Sequence, residues 1–214
     1  MYNNMQPARQ AFTRESADAR RTGLIEATAA VLAEQGLAGT NVRAICAKAG
    51  VSPGLLRHYF AGIDDLIAAT YHATSDRMDA IFAAAVAGAG ADPRARLNAY
   101  LTASFRPPVT DPELLGAWTA FWALARSDAR MVQIHATSYA GYRARLGDLL
   151  IACGTTPAEA AKLAVLLTAM VDGLWLELSL DADSFGAEAA VAMVERAVEA
   201  LVWPPPYRPS SNFA

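Results

Sequence analysis

Four times the sequence sets a helix-capping side chain directly before a proline: Ser52-Pro53, Asp92-Pro93, Asp111-Pro112 and Thr156-Pro157. Each pair reads as a helix start. The first residue's oxygen can accept a bond from an orphan N–H of the first turn. Proline at the first helical position gives up an N–H that has no partner there anyway. Thr156 opens a capping box, in which Glu159 can satisfy a second end N–H. Between these starts alanine is frequent and β-branched runs are rare, so helix is the expected state.

The spacing predicts a long amphipathic helix from about 14 to 35. Its apolar stripe uses Leu24, Ile25, Thr28, Val31 and Leu32, and Gly36 ends it in a left-handed turn. Thr40 reads as the N-cap of a second helix that closes near Ala49, with Gly50 as the turn. Ser52 caps a third. Further helices fit about 64–86, 93–105, 112–125, 128–152, 157–180 and 185–202. The expectation is an all-α protein of about nine helices without repeats or strands. Residues 1–12 read as a flexible arm and 13–60 as a three-helix N-terminal domain. Residues 61–203 read as a larger helical domain, and 204–214 as a disordered tail.

With 54% hydrophobic and 18% charged residues over 214, the chain can bury a sizeable core. Cys46 and Cys153 have no CxxC spacing, so neither a disulfide framework nor a zinc site is expected. The N-terminus lacks the apolar run of a secretory signal. The most apolar stretch, Leu163 to Leu180, is interrupted by Asp172 and Glu177, which argues against a membrane span. No cofactor or metal is expected, and the expected compartment is the cytoplasm.

The net charge of −3 is unevenly spread. Residues 1–60 hold seven basic side chains (Arg9, Arg14, Arg20, Arg21, Arg43, Lys48, Arg57) and four acidic ones (Glu15, Asp18, Glu26, Glu34), a local +3. The rest must carry −6. The basic part suits a polyanion, and scattered surface charge gives the same sum. Within it lies AICAKAGVSPGLLRHYF, Ala44 to Phe60. Cys46 precedes Gly50 by four residues and Leu56 follows it by six. Ile45, Val51, Leu56 and Phe60 fall on one apolar side. This is the pattern of a helix-turn-helix, with a small residue for close approach and glycine at the turn. The second helix would turn Ser52, Gly54, Arg57 and His58 outward, with Tyr59 at its end. Arg offers a fork of donors to phosphate or guanine, and His and Tyr can hold phosphate oxygens. A plain helical hairpin with a polar outer face fits the same residues.

The stretch GLAGTNVRAICAKAGVSPGLLRHYFAGIDDLIAATY, Gly36 to Tyr71, resembles the TetR family of bacterial one-component repressors. VSPGLLRHYF, together with DPELLGAWTAFWALARSD (111–128) and VDGLWLEL (171–178), is similar to the BetI-like branch, which controls betaine synthesis from choline. The resemblance implies a homodimeric, ligand-responsive repressor that reads a pseudo-palindromic double-stranded DNA operator through two recognition helices. It places DNA contacts on Thr40, Arg43, Ser52, Pro53, Gly54, Arg57, His58 and Tyr59. Two positions depart from the family pattern. Cys46 stands where Ala is frequent, and Ile63 stands where a phosphate-gripping Lys is common. Ile63 leaves open a second reading, a helical ligand- or protein-binding module with weakened or lost DNA binding. In the first reading Arg14, Arg20 or Arg21 would replace the missing contact.

In the larger domain Trp118, Phe121 and Trp122 recur at i, i+3 and i+4. Tyr139 and Tyr142 sit on another expected helix, and Asp172 and Trp175 on a third. Together they suit an aromatic cage with a carboxylate, a site for a quaternary ammonium effector such as choline, or they simply fill a core. Asp172 could meet a cationic ligand, bond a Tyr or Arg, or face solvent. Gly173, in mid-helix, suggests close approach of another helix or a ligand. Alanines on the last two helices (Ala158, Ala161, Ala164; Ala189, Ala192) would pack a dimer interface or the chain's own core. No HExxH, GxSxG, P-loop or GxGxxG occurs and no two of the three histidines pair, so an enzyme is not expected.

Overall fold

A computed structural model describes residues 17–181 and 183–203. Their regular structure is nine α-helices and one 3-10 turn, with no strand among the described residues. In order they are α1 (Ala17–Gly39), α2 (Val42–Ala49), α3 (Pro53–Tyr59), α4 (Ile63–Gly88), α5 (Pro93–Thr102), the 3-10 turn (Ala103–Phe105), α6 (Pro112–Ala125), α7 (Ala129–Ala152), α8 (Pro157–Leu180) and α9 (Ala187–Val202). The expected arm 1–12 and tail 204–214 lie outside the described residues.

Three of the four anticipated caps make their bonds. Ser52 Oγ accepts from Leu55 N at 3.3 Å, the Asp92 carboxylate from Arg94 N and Ala95 N, and Thr156 Oγ1 from Glu159 N at 3.4 Å. Asp111 precedes a proline-led helix but makes no side-chain cap bond. The start of α2 corrects the sequence reading by one residue. Asn41 Oδ1 takes the bond from Ala44 N, while Thr40 Oγ1 donates back to Gly36 O at 2.7 Å. A threonine hydroxyl reaches its own i−4 carbonyl readily, so Thr40 closes α1 and Asn41 opens α2. Gly36 has φ 62° and ψ −169°, a positive-φ conformation open to glycine but not the left-handed turn expected, and it kinks α1, which runs on to Gly39.

Two hydrophobic clusters form. The smaller joins Leu24 and Val31 of α1, Ile45 and Cys46 of α2, Leu56 and Phe60 around α3, and Leu66 of α4. The larger gathers α4 to α9 around Tyr71, Phe82, Tyr100, Phe105, Phe121, Leu167 and Trp175. Leu32 of α1 belongs to this second cluster, so α1 and α4 run through both. The tightest crossing is between α1 and α6. A Cβ on Gly116 would stand 2.8 Å from Ala33 Cα and 2.9 Å from Ala33 O, so only glycine lets these backbones meet. Helix α8 is long and apolar enough to cross a membrane by composition alone. Here Leu163, Leu167, Val171 and Trp175 bury one side of it in the larger cluster.

Candidate functional site

The helix-turn-helix forms as its spacing requires. Gly50 has φ 65°, and Val51 N bonds Cys46 O at 3.0 Å across the turn. Cys46 is buried beside Ile45, a small side chain that lets α3 close on α2. The two remaining apolar positions, Leu56 and Phe60, are also buried, and Val51 packs beside them. Helix α3 therefore turns Ser52, Pro53, Gly54, Arg57 and His58 to solvent, with Tyr59 half-buried at its end and its ring 5.1 Å from that of His58. Arg43 is exposed near the start of α2, and Thr40 is half-buried just before it. Among the described residues neither Arg43 nor Arg57 has an ion-pair partner, whereas Lys48 is held by Glu34 at 2.5 Å. Ile63, the first residue of α4, is half-buried against both clusters. The Arg21 guanidinium lies 5.0 Å from the centroid of the Phe60 ring.

In the larger cluster α4, α6, α7 and α8 enclose a cavity of about 60 Å³. About 10–15 Å³ by this measure is enough to admit one water, so the cavity has room for more than one. Six of the seven aromatic and acidic residues singled out from the sequence line it: Trp118, Trp122, Tyr139, Tyr142, Asp172 and Trp175. Phe121 does not. It is fully buried with its ring 4.9 Å from that of Tyr71. Residues three and four apart flank a shared axis on opposite sides, and the cavity lies on the Trp122 side of Trp118.

Sequence reasoning missed the contribution of α4. Ser75, Met78, Asp79 and Phe82 line the cavity at i, i+3, i+4 and i+7. That spacing was present, but two of the four are polar, so no apolar stripe marked them. His135, also missed, takes part in a 3.1 Å hydrogen bond with the Tyr71 hydroxyl and packs 4.1 Å from the Tyr139 ring. Burial, and then Arg143, push its pKa down.

Asp172 sits among these rings without an ion-pair partner among the described residues. Burial lifts its carboxyl to about 6, and the Tyr139 hydroxyl and the charge of Arg143 only partly offset that. Trp122 Nε1 donates to the Tyr139 hydroxyl at 3.1 Å, leaving the tyrosine proton free for the carboxylate. Burial also raises the Tyr139 and Tyr142 phenols above their ordinary range. Asp79 at the cavity edge is different, since Arg145 clamps it. Among the described residues, two buried atoms of the lining, Trp175 Nε1 and the Tyr142 hydroxyl, meet no partner with hydrogen-bond geometry, although Ser104 is near enough to act on the Tyr142 phenol. A wider cleft of about 260 Å³ opens between α1, α4 and α6, lined by Glu26, Arg77, Asp111 and Glu113 among others. Those charged groups are exposed, and neither of these unpartnered atoms lies on it. A Cβ on Gly173 would meet nothing within 4 Å, so among the described residues no other helix approaches it.

A short exposed helix closing a helix-turn-helix, joined to a larger helical body with a cavity, is the architecture of a DNA-binding regulator. Residues 24–70 match the bacterial regulatory proteins of the tetR family, and residues 93–202 match the BetI-type transcriptional repressor C-terminal family. The HTH-type transcriptional regulator BetI of Rhizobium meliloti is 35% identical over 187 residues, covering 85% of this chain and 88% of that protein. A transcriptional regulator of Pseudomonas aeruginosa has a TM-score of 0.80 at 38% identity, covering 90% of this chain and 95% of that one. A regulator from Saccharomonospora viridis, solved in complex with choline, shares the fold at TM-score 0.74 and 16% identity, over 86% and 97% of the two chains. The chain belongs to the TetR family of transcriptional regulators, with a BetI-type C-terminal domain.

Proposed function

We propose that this chain is a homodimeric repressor whose hold on a pseudo-palindromic operator is set by a small cationic effector, a quaternary ammonium of choline's kind. The division of labour follows residues 13–60 for DNA and 61–203 for effector and dimer contacts, in the cytoplasm. The observation that carries the effector class is Asp172, a carboxylate without an ion pair in a cavity lined by Trp118, Trp122, Tyr139, Tyr142 and Trp175. Asp172 is half-buried; a carboxylate partly withdrawn from water gains from a cation beside it, and aromatic faces attract a cation that cannot donate hydrogen bonds. The choline in the Saccharomonospora viridis regulator belongs to that protein. The reading here rests on this chain's own carboxylate and rings.

The DNA side is supported by the exposed set Arg43, Ser52, Pro53, Gly54, Arg57 and His58, with Thr40 and Tyr59 at its margins. Ile63 lies half-buried and offers no cation, while Arg21 over the Phe60 ring supplies one on α1. The dimer reading is supported by apolar side chains left outside on α8 and α9: Val165 at 56% exposure, Leu166 at 49% and Met193 at 45%. Ala158, Ala161 and Ala192 are exposed on the same helices and Ala189 is half-buried, but Ala164 is buried within the chain. Operator binding measured by fluorescence anisotropy, with and without choline, tests the whole. Arg57→Ala with His58→Ala should weaken operator binding at least tenfold and flatten its salt dependence, with the melting temperature unchanged. Unchanged operator affinity would leave the binding-module alternative.

A further inference from the structure

One carboxylate ties the end of the exposed helix α3 to the body of the protein. Helix α3 has only seven residues, too few to be stable alone, so what fixes its two ends sets its pose. At its start the Gly50 turn and the Ser52 cap join it to α2. At its end the link to α4 is Phe60, Ala61 and Gly62, and Gly62 brings no side chain to cap α4. Asp65, in the first turn of α4, reaches back over that link. Its Oδ2 accepts from Ala61 N at 3.3 Å, and its Oδ1 accepts from Arg130 Nη2 at 3.2 Å. A single side chain thus holds both the backbone two residues beyond Tyr59 and the start of α7.

Arg130 is well placed to anchor it. Asp128 caps α7, its Oδ1 accepting from Met131 N at 2.8 Å, and Met131, next to Arg130, is buried in the larger cluster. Farther along, the Tyr71 hydroxyl bonds His135 at 3.1 Å and Asp79 pairs with Arg145. These ties advance together along α4 and α7, so the two helices run in parallel and the end that carries Arg130 is held. The Arg130–Asp65 pair itself is exposed, 55% and 41% at the two side chains, and adds little to stability. The dipole of α4 accounts for an acid in its first turn, and Asp64 supplies one as well, but neither accounts for Arg130. We infer that Asp65 is a positioning residue for DNA binding: held by Arg130, it fixes the C-terminal end of α3 and so aims Arg57, His58 and Tyr59. This rests on α3 being the DNA-contact helix proposed above, and goes further by naming what aims it.

Charge and position predict different results. By charge alone, removing Asp65 would strengthen binding to every duplex and removing Arg130 would weaken it to every duplex, with no change in the preference between sequences. A misaimed helix loses base contacts, so it loses that preference. The probes are a duplex selected from random sequence by the unmodified chain and the same duplex with its sequence scrambled. Fluorescence anisotropy of the full chain gives both affinities, and their ratio is the readout. Arg130→Gln leaves the Asp65–Ala61 bond intact. It should lower the ratio about threefold per recognition helix, the scale of an exposed ion pair, and about tenfold for two helices on one duplex. Its melting temperature should stay within about 3 °C of the unmodified chain. Asp65→Ala should lower the ratio at least as far, and the double variant no further than Asp65→Ala alone. Arg130→Lys keeps the cation and should recover most of the loss. An unchanged ratio in Arg130→Gln overturns the inference, and this arm alters no buried side chain. A double variant whose loss is the product of the two single losses shows the residues acting separately, and overturns it as well. A chain that selects no duplex removes the DNA reading itself, and the inference with it.

Discussion

Replacing Gly116 by alanine should disturb this protein in a way that the same change elsewhere does not. Inside a helix Gly→Ala gains about 1 kcal/mol from the smaller backbone entropy loss. At Gly116 the new Cβ would land 2.8 Å from Ala33 Cα, 2.9 Å from Ala33 O and 3.1 Å from Ala33 Cβ. The first two are main-chain atoms of α1, which no rotamer change can move. Ordinary contact is about 3.5–4 Å, so α1 and α6 would have to separate by the better part of an ångström. Overpacking of this kind costs about 1–3 kcal/mol, and the net effect is a loss of about 0–2 kcal/mol. Gly147 of α7 is the control, since a Cβ there meets nothing within 4 Å. Gly147→Ala should stabilise by about 0.5–1 kcal/mol. In thermal melts of a chain this size, 1 kcal/mol is roughly 2–4 °C, so the two variants should separate in opposite directions. The wedge also displaces α1, which carries the helix-turn-helix, so operator affinity of Gly116→Ala should fall by more than its stability loss accounts for. If Gly116→Ala melts as high as Gly147→Ala and binds operator normally, the claimed backbone contact is not rigid and the reasoning is wrong.

Asp172 gives a prediction with a fixed sign. Its folded pKa of about 6 exceeds its ordinary 3.8, so folding is penalised as pH rises between those values. Asp172→Asn should therefore raise stability at pH 7.5 by on the order of 1–3 kcal/mol, a gain that disappears below about pH 4, as paired melts would show. The same group makes cation affinity pH-dependent. Only about a tenth of it is ionised at pH 5, so choline should bind roughly tenfold more weakly there than at pH 7.5, and a flat profile would exclude Asp172 as the counter-charge. Val165→Glu with Met193→Glu places charges on the exposed apolar side of α8 and α9 and should yield a folded monomer in sedimentation, with operator binding lost.

Helix positions were legible because they are written locally. A capping oxygen before a proline acts on its own first turn, and Gly50 needs nothing beyond its own backbone to make the α2–α3 turn. The departures also have local causes. Thr40 and Asn41 both carry a capping oxygen, and which one caps depended on the hydroxyl of Thr40 finding Gly36 O. The cavity was legible on α6, α7 and α8, where aromatic residues stand out. It was not legible on α4, where Ser75 and Asp79 look like surface residues until three other helices cover them. Phe121 could not be separated from Trp118 and Trp122 by spacing, because an aromatic at i+3 faces a cavity or a core according to which helix lies beyond it. The unpartnered indole of Trp175 is beyond any sequence signal, since it is defined by what its neighbours do not offer.

The same geometry bears on how the cavity could speak to the DNA-contact face. A tilt of α4 is one route, since α4 lines the cavity through Ser75 to Phe82 and enters the smaller cluster through Leu66. Helix α6 offers a second and shorter one. Trp118 and Trp122 line the cavity, and Gly116 two residues earlier touches the α1 backbone at Ala33. Side-chain contacts such as Leu66 can absorb a small shift by changing rotamer, whereas two backbones in contact transmit it. A ligand that moved the two tryptophans by a fraction of an ångström would move α1 by nearly as much, and the helix-turn-helix packed on Leu24 and Val31 would follow. On this argument α6 would carry the signal of the proposed effector and α4 would accommodate it. An alanine at Gly116 should then imitate part of the ligand's effect on operator binding in the ligand's absence, and choline should change the operator affinity of that variant less than it changes that of the unmodified chain.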